Sequence, residues 1–317
     1  MVFRCKNLLV TGGAGFIGSN FINYILSKYL DVNVINIDNI TYAGSLQNTK
    51  AFENNKNYTF VKGDICNKKL LENIFDKYKV DGVINFAAET HVDNSIKEPV
   101  KFIQSNIVGT HNLLNACFKS WFDSAQKVKS GFEHSRFHQI STDEVYGSIE
   151  NGTFNELSTY NPNSPYSASK ASSDMLVRSY NITFGLDTTI SICSNNFGAN
   201  QHEEKLIPKL IKSIHDKVPI TIYGNGLNQR DWIYVIDHCK AVDLIFNKGK
   251  NGEKYNIGSG IEISNLELVR GIYKIYSQKE NIQFIKDRHG HDFRYSIDSG
   301  KIMRELNWST SINIFDY

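Results

Sequence analysis

Asp143 and Glu144 stand side by side in Ser141-Thr-Asp-Glu-Val-Tyr-Gly147, where the apolar run Phe137 to Ser141 gives way to a turn. Adjacent carboxyls can share proton transfer, one giving and one taking, once burial and unlike neighbours split their titrations. Downstream, Tyr166-Ser-Ala-Ser-Lys170 sets a phenol and an ammonium one turn apart on the same face of a helix. A phenol with a pKa of about 10 is a poor base at neutral pH. A neighbouring cation and an oxidised nicotinamide both favour its phenolate, so Tyr166 can take the proton of a substrate hydroxyl as hydride leaves the carbon.

The destination of that hydride follows from Gly12-Gly-Ala-Gly15-Phe16-Ile17-Gly18, which succeeds an apolar strand and opens a helix. Glycines let the backbone turn tightly and approach a pyrophosphate, which then rests on the positive end of the helix. Asp38 closes the next strand about 20 residues on, where its carboxylate can accept hydrogen bonds from a ribose diol. The same charge repels a 2′-phosphate, and no Arg or Lys follows in Asn39-Ile-Thr41, so NAD is expected rather than NADP. Gly63-Asp64-Ile65 and Phe86-Ala87-Ala88-Glu89 each follow a strand, at the places that flank the adenine and the pyrophosphate.

These groups need a frame. Short β-branched runs (Asn7 to Thr11, Asn33 to Ile37, Tyr58 to Lys62, Gly82 to Phe86, Arg136 to Ser141, Thr188 to Cys193) read as buried strands. They alternate with helices over Phe16 to Tyr29, Leu70 to Lys79, Val100 to Trp121 and Ser164 to Thr183. Such a rhythm means right-handed crossovers and a Rossmann-type, doubly wound parallel α/β sheet covered on both faces. Beyond about residue 195 it loosens into short strands (Ile220 to Tyr223, Lys254 to Ile257, Ile282 to Ile285) and helices (Lys205 to Asp216, Val235 to Asn247, Asn265 to Tyr276). The expected division is a dinucleotide-binding domain over 1–194 and a smaller, discontinuous α/β substrate lobe over 195–317, some of whose segments return to the main sheet.

Composition sets the boundaries. In a chain of 317 residues, 41% hydrophobic content is enough for a sizeable core, and a net charge of +2 with both signs interspersed leaves no basic stripe for nucleic acid. Five scattered cysteines, with no CxxC pair and no metal-ligand spacing, read as reduced structural thiols and no metal site. The first apolar run comes too early for a signal peptide, and no apolar run approaches the ~20 residues of a membrane span. The expected location is the cytoplasm.

Thr11-Gly-Gly-Ala-Gly-Phe-Ile-Gly-Ser19, Asp38-Asn39-Ile-Thr41-Tyr-Ala-Gly44, Ala87-Ala-Glu-Thr90-His91-Val-Asp93, the acid-pair stretch and Ser164-Pro-Tyr-Ser-Ala-Ser-Lys-Ala-Ser-Ser-Asp174 together resemble the extended short-chain dehydrogenase/reductase superfamily. Within it the chain looks most like the dTDP-glucose 4,6-dehydratase family, and the likeness continues through Cys193-Ser-Asn195-Asn196-Phe-Gly198, Glu204-Lys205-Leu-Ile-Pro208, Arg230-Asp-Trp232 and Asp287-Arg288-His-Gly-His291-Asp292. The resemblance implies a hydro-lyase acting on a nucleotide-diphosphate hexose, with NAD retained and regenerated in each turnover. It implies Asp143 as general acid at the C6 oxygen, Glu144 as general base at C5, and Thr142 beside Tyr166 at the C4 oxygen. It also adds Ser105, Tyr166, Lys170 and Asn196 to the cofactor contacts and Thr90, His91, Thr142, Asn195, Glu204, Lys205, Asn265 and His291 to the substrate contacts, with a homodimer built on the two long helices. Arg230 and Arg288 suit a diphosphate, because guanidinium matches phosphate oxygens in paired geometry. His91 is expected to pack or orient rather than to act as acid or base.

Two departures stand out. The family usually has Arg where this chain has Asn94 and Pro where it has His289, changes that bear on substrate fit and loop rigidity. Relatives also continue into a closing helix where this chain ends soon after Leu306-Asn-Trp308, which bears on the stability of the small lobe. The motifs are shared with UDP-glucose 4,6-dehydratases and do not separate thymine from uracil. A 4-epimerase of the same fold would share Tyr166 and Lys170 but has no need of Asp143-Glu144. A non-catalytic NAD-binding sensor would have little reason to keep all four groups.

Overall fold

The computed structural model describes residues 3–287 and 290–317. Among the described residues, seven parallel strands form the main sheet, in the spatial order Lys254–Ile257, Thr188–Cys193, Arg136–Thr142, Gly82–Asn85, Asn7–Thr11, Asn33–Asp38 and Tyr58–Lys62. Most of these strands are near-continuously buried, as a sheet covered on both faces requires. Side chains alternate across it: Leu9, Ile35 and Val83 enter one core with Trp121 and Val177, and Leu8, Val10 and Ile84 enter the other with Ile22, Val242 and Phe246. Asn7–Thr11 is the point where strand order reverses, and in open sheets of this kind ligands bind beyond the carboxyl ends of the strands at that reversal.

The single helix expected over Val100 to Trp121 is instead an α-turn, Pro99–Phe102, a π-helical stretch, Ile103–Gly109, and an α-helix, Thr110–Trp121, preceded by a short helix at Val92–Lys97. Tertiary contacts favour the wider turn. The Asn106 amide donates to Glu89 O at 3.1 Å and Ser169 Oγ at 2.8 Å, and its Oδ1 accepts from Glu89 N at 2.8 Å. Insertions of this type occur mostly at functional sites.

The helix Pro165–Phe184 begins with a reciprocal Ser164–Ser167 capping box and Pro165 in its first turn, and ends at Gly185 in the left-handed region (φ 78°). In the second half, Asn195–Phe197, Gln229–Tyr234 and Glu262–Ser264 form a sheet of three strands that the sequence pattern does not announce. Asn, Gln, Arg and Asp break the apolar alternation there. The helix Gly300–Leu306 and the hairpin Phe122–Ser124 with Lys127–Val128 are likewise additions. Phe197, Leu210, Ile222, Trp232, Leu268 and Tyr273 pack a separate small-lobe core, while Lys254–Ile257 pairs with Thr188–Cys193 in the main sheet.

Ser164→Ala removes the cap of the helix that carries Tyr166 and Lys170. Urea unfolding should show a loss of about 1 kcal/mol in stability.

Candidate active site

A cleft of about 1130 Å³ opens beyond the carboxyl ends of the strands. Gly12 has φ 69°, and a Cβ there would come within 2.7 Å of the Ala87 amide nitrogen, so only glycine lets the turn lie against the next loop. A Cβ on Gly18 would meet the Gly12 carbonyl at 2.4 Å, so the helix can start this close to the turn only without one. Asp38 Oδ2 accepts from Ala14 N at 2.9 Å and Oδ1 from Ile40 N at 2.8 Å. Burial pushes the Asp38 carboxyl up and these two amides oppose the rise.

Gly15, Phe16 and Ile17 line the same cleft at the helix start, as do Asn39, Thr41 and Gly44 on the next loop. Asp64 and Ile65 line it too, and Asn39 Nδ2 donates to Asp64 Oδ2 at 3.2 Å. Ala87, Ala88 and Glu89, with Ser105 from the π-helical stretch and Asn196, complete this side. Asn196 is fixed by its Nδ2 donating to Ser194 O at 3.0 Å and its Oδ1 lying 2.9 Å from His238 Nδ1.

The acid pair sits at the end of Arg136–Thr142, in a 3-10 turn over Asp143–Tyr146. Thr142 caps the turn: its Oγ1 accepts from Glu144 N at 3.4 Å and donates to Asp143 Oδ1 at 3.2 Å. Three-residue periodicity sends the two acids in different directions. Glu144 lines the cleft, whereas Asp143 does not and is only 2% exposed. Burial pushes the Asp143 carboxyl well above its usual value, the neighbouring Glu144 adds to this, and Arg230 opposes it. Burial thus favours the protonated form of Asp143.

Tyr166 and Lys170 both line the cleft and both are buried. Burial, then Glu144, pushes the Tyr166 phenol well up, against a hydrogen bond from Thr142. Lys170 donates to the Ile140 carbonyl at 2.6 Å. Burial lowers its pKa and Asp174 raises it. The protein groups alone thus hold Tyr166 neutral, and the cation expected to offset this through Lys170 is spent largely on a backbone carbonyl.

Arg230, expected at a diphosphate, lines the cleft but is 5% exposed. Its Nη1 donates to Gln229 O at 2.6 Å and Phe293 O at 3.2 Å, its Nη2 to Asp292 O at 2.9 Å, and it lies 4.3 Å from the centre of the Tyr295 ring. Two of its five N–H donors are left for a ligand. Lys205 Nζ lies 3.4 Å from Thr90 O, and His91 Nε2 lies 3.7 Å from Glu204 Oε2. His91 Nδ1 also accepts from the amide of Asn94 at 3.4 Å, which fits an orienting part for His91 and places the Asn94 departure beside it. Asn195, Asn265 and His291 line the cleft as well, His291 being held 2.6 Å from Asp287. Arg288 and His289 lie outside the described residues.

Tyr295, Trp232, Tyr223 and Cys193 also line the cleft without having been picked out as site residues. Tyr295 donates to Asp292 Oδ2 at 2.8 Å and stands against both Arg230 and Glu144. A lone aromatic in an irregular segment carries no periodic signal; the sole hint was its closeness to Asp287-Arg-His-Gly-His-Asp292.

Fold and site together define a Rossmann-type enzyme of the nucleotide-sugar dehydratase and epimerase class. The family described as GDP-mannose 4,6 dehydratase matches residues 9–317, and the chain belongs to that family. It is 47% identical to the dTDP-glucose 4,6-dehydratase of Haemophilus influenzae, over 96% of this chain and 94% of that one. Against the Salmonella typhimurium enzyme of the same name the identity is 46%, over 95% and 87%. Among solved structures, the dTDP-glucose 4,6-dehydratase DesIV of Streptomyces venezuelae, with NAD and dTDP bound, superposes with a TM-score of 0.91 at 41% identity, covering 98% of this chain and 94% of that one. The UDP-glucose 4-epimerase of Thermotoga maritima reaches 0.88 at 26% identity, covering 98% and 96%.

A carboxyl whose folded pKa is raised stabilises the fold only while protonated, so its contribution is lost as pH climbs above the unfolded value of about 3.9. Asp143→Asn should therefore be more stable than the parent protein at pH 7, with the difference vanishing below pH ~4. Urea unfolding at the two pH values checks this.

Proposed function

We propose that this protein is a dTDP-glucose 4,6-dehydratase that uses NAD. The observation that carries the reading is the split environment of the acid pair, Asp143 buried toward protonation and Glu144 open to the cleft, beside a tyrosine and lysine on one helix face. The glycine turn and Asp38 fit a dinucleotide, which supplies a hydride acceptor that is restored within each cycle. Tyr166 takes the proton of the C4 hydroxyl during oxidation and Thr142 hydrogen-bonds the same oxygen. The C4 ketone makes the C5 hydrogen acidic, Glu144 removes it, and Asp143, which lies behind the cleft wall beside Thr142, gives its proton to the departing C6 hydroxyl by turning toward the cleft. Hydride then enters at C6 and C5 is reprotonated, so the product is a 4-keto-6-deoxy sugar with no net oxidation.

Arg230 and Arg288 are assigned to the nucleotide diphosphate, and Thr90, His91, Thr142, Asn195, Glu204, Lys205, Asn265 and His291 to the substrate without further division. The division of labour runs over 1–194 for the cofactor and mainly over 195–317 for the substrate. Thymine rather than uracil is favoured by the names of the 47% and 46% identical relatives. An epimerase shares the fold but leaves Asp143-Glu144 without a purpose. We assign a homodimer through the exposed Val100, Ile103, Met175 and Ile182 of the two long helical segments, and a cytoplasmic setting. Among the described residues no helix is long and apolar enough to cross a membrane.

Incubation with dTDP-glucose should give a product lighter by one water in the mass spectrum, without accumulation of NADH absorbance; UDP-glucose run in parallel identifies the base. Glu144→Gln should stop after C4 oxidation, raising NADH absorbance with no loss of water and cutting turnover by about 10²–10⁴-fold. An unchanged sugar nucleotide with the parent protein overturns the reading.

A further inference from the structure

Asp174 is a buried ionisable group that the mechanism above leaves without a task. It lies one helical turn beyond Lys170 and is 2% exposed. Its Oδ2 accepts from Ser141 Oγ at 2.6 Å and from the Tyr160 hydroxyl at 3.1 Å, while its Oδ1 is buried with no hydrogen-bond partner. An incompletely bonded carboxyl in so dry a place is costly, and a buried group of this kind is retained where a counter-charge compensates it.

Lys170, one turn back on the same helix and buried with it, is the counter-charge that acts on it, without forming a contact ion pair. It is 5% exposed, and a backbone carbonyl alone is poor company for a buried ammonium. Asp143 and Glu144 act on Tyr166. The groups that support a charge on Lys170 are Asp174 and, more weakly, Cys193, whose thiol burial pushes up to about 12. Ser141 immediately precedes Thr142, so its bond to Asp174 also pins the end of the acid-bearing strand to the helix that carries Tyr166 and Lys170.

We propose that Asp174 is a positioning residue for the catalytic site: its carboxylate holds Lys170 as an ammonium, and through Ser141 it keeps the strand end Thr142-Asp143-Glu144 in register with Tyr166. The catalytic half of this inference rests on the dehydratase reading; the electrostatic half does not.

The groups facing Asp174 set its working range. Burial pushes it up to about 6, opposed by Lys170, Ser141, Tyr160 and Lys254. Lys254 reaches it from the neighbouring strand, with its Nζ 4.6 Å from the centre of the Tyr160 ring, and is itself flanked by Glu156, Lys301 and Arg178. Tyr146 packs edge-on against Tyr160 at 5.3 Å. Above pH ~6 Asp174 is thus ionised and Lys170 keeps its partner. Without that charge, only the weaker effect of Cys193 opposes burial at Lys170, and the ammonium is lost at lower pH.

The first test is a ¹³C NMR titration of NAD-loaded protein labelled at lysine Cε, with the Lys170 signal assigned from Lys170→Arg. Asp174→Asn, which keeps the size and an acceptor oxygen, should move the Lys170 titration down by about one pH unit; an unmoved titration overturns the proposal. If that variant does not fold, Tyr160→Phe serves. Losing one donor raises the pKa of Asp174, so the response of the Lys170 signal at the acid end should move to higher pH, and an unmoved response again counts against the proposal.

The second test is turnover of dTDP-glucose across pH. In Asp174→Asn the alkaline limb of kcat should move down with Lys170 while KM changes little, and Asp174→Glu should restore part of the shift. Ser141→Ala keeps the charge and cuts the tether, so it should lower kcat evenly without moving the limb. A shifted Lys170 with an unmoved limb overturns the catalytic half. A parent protein that does not dehydrate the sugar defeats the proposed function instead, and the NMR result stands apart from it.

Discussion

Exclusion of water from the carboxyl end of one strand is the constraint on which the site depends. Arg136–Thr142 is buried at every position, and the turn that follows carries Asp143 into the interior while leaving Glu144 at the cleft. Two adjacent carboxyls in water would titrate together and could not act as acid and base. A low-dielectric wall on one of them separates the pair. The same dryness acts on Tyr166 and Lys170, so three buried ionisable groups lie around the cleft-facing Glu144, and each sets the charge its neighbours can hold.

Such a corner needs support that does not itself bring in water. The sheet supplies part of it, since parallel strands covered on both faces leave only their ends open. The π-helical stretch supplies more: Asn106 ties the Glu89 backbone to Ser169 on the helix of Tyr166 and Lys170. The Glu89 side of the cleft and the helix of Tyr166 and Lys170 are thereby linked by one buried amide. On the far side Arg230 is spent mostly on backbone carbonyls and the Tyr295 ring, so it ties Gln229–Tyr234 to the segment 292–295.

The likeness to an epimerase at a TM-score of 0.88 shows how little of this is visible in the fold alone. A UDP-glucose 4-epimerase at 26% identity shares the architecture, so the fold does not separate the two reactions. On the function proposed above, the acid pair and its unequal burial are the feature that gives dehydration a route.

Sequence by itself determined the alternation of strands and helices, the glycine turn with Asp38, and the spacing of Tyr166 and Lys170, because each depends on local rules: period, turn sterics and helical repeat. It also brought Asp143 and Glu144 to notice, since neighbours in a chain are neighbours in space. Tertiary structure alone decided which acid is buried, that Lys170 points to the Ile140 carbonyl, that one long helix widens at Ile103–Gly109, and that Tyr295 stands beside Arg230. The strands around Arg230 were hidden for the same reason. Their polar residues are satisfied by partners distant in the chain, and no local pattern records a contact that exists only once the chain has folded back on itself.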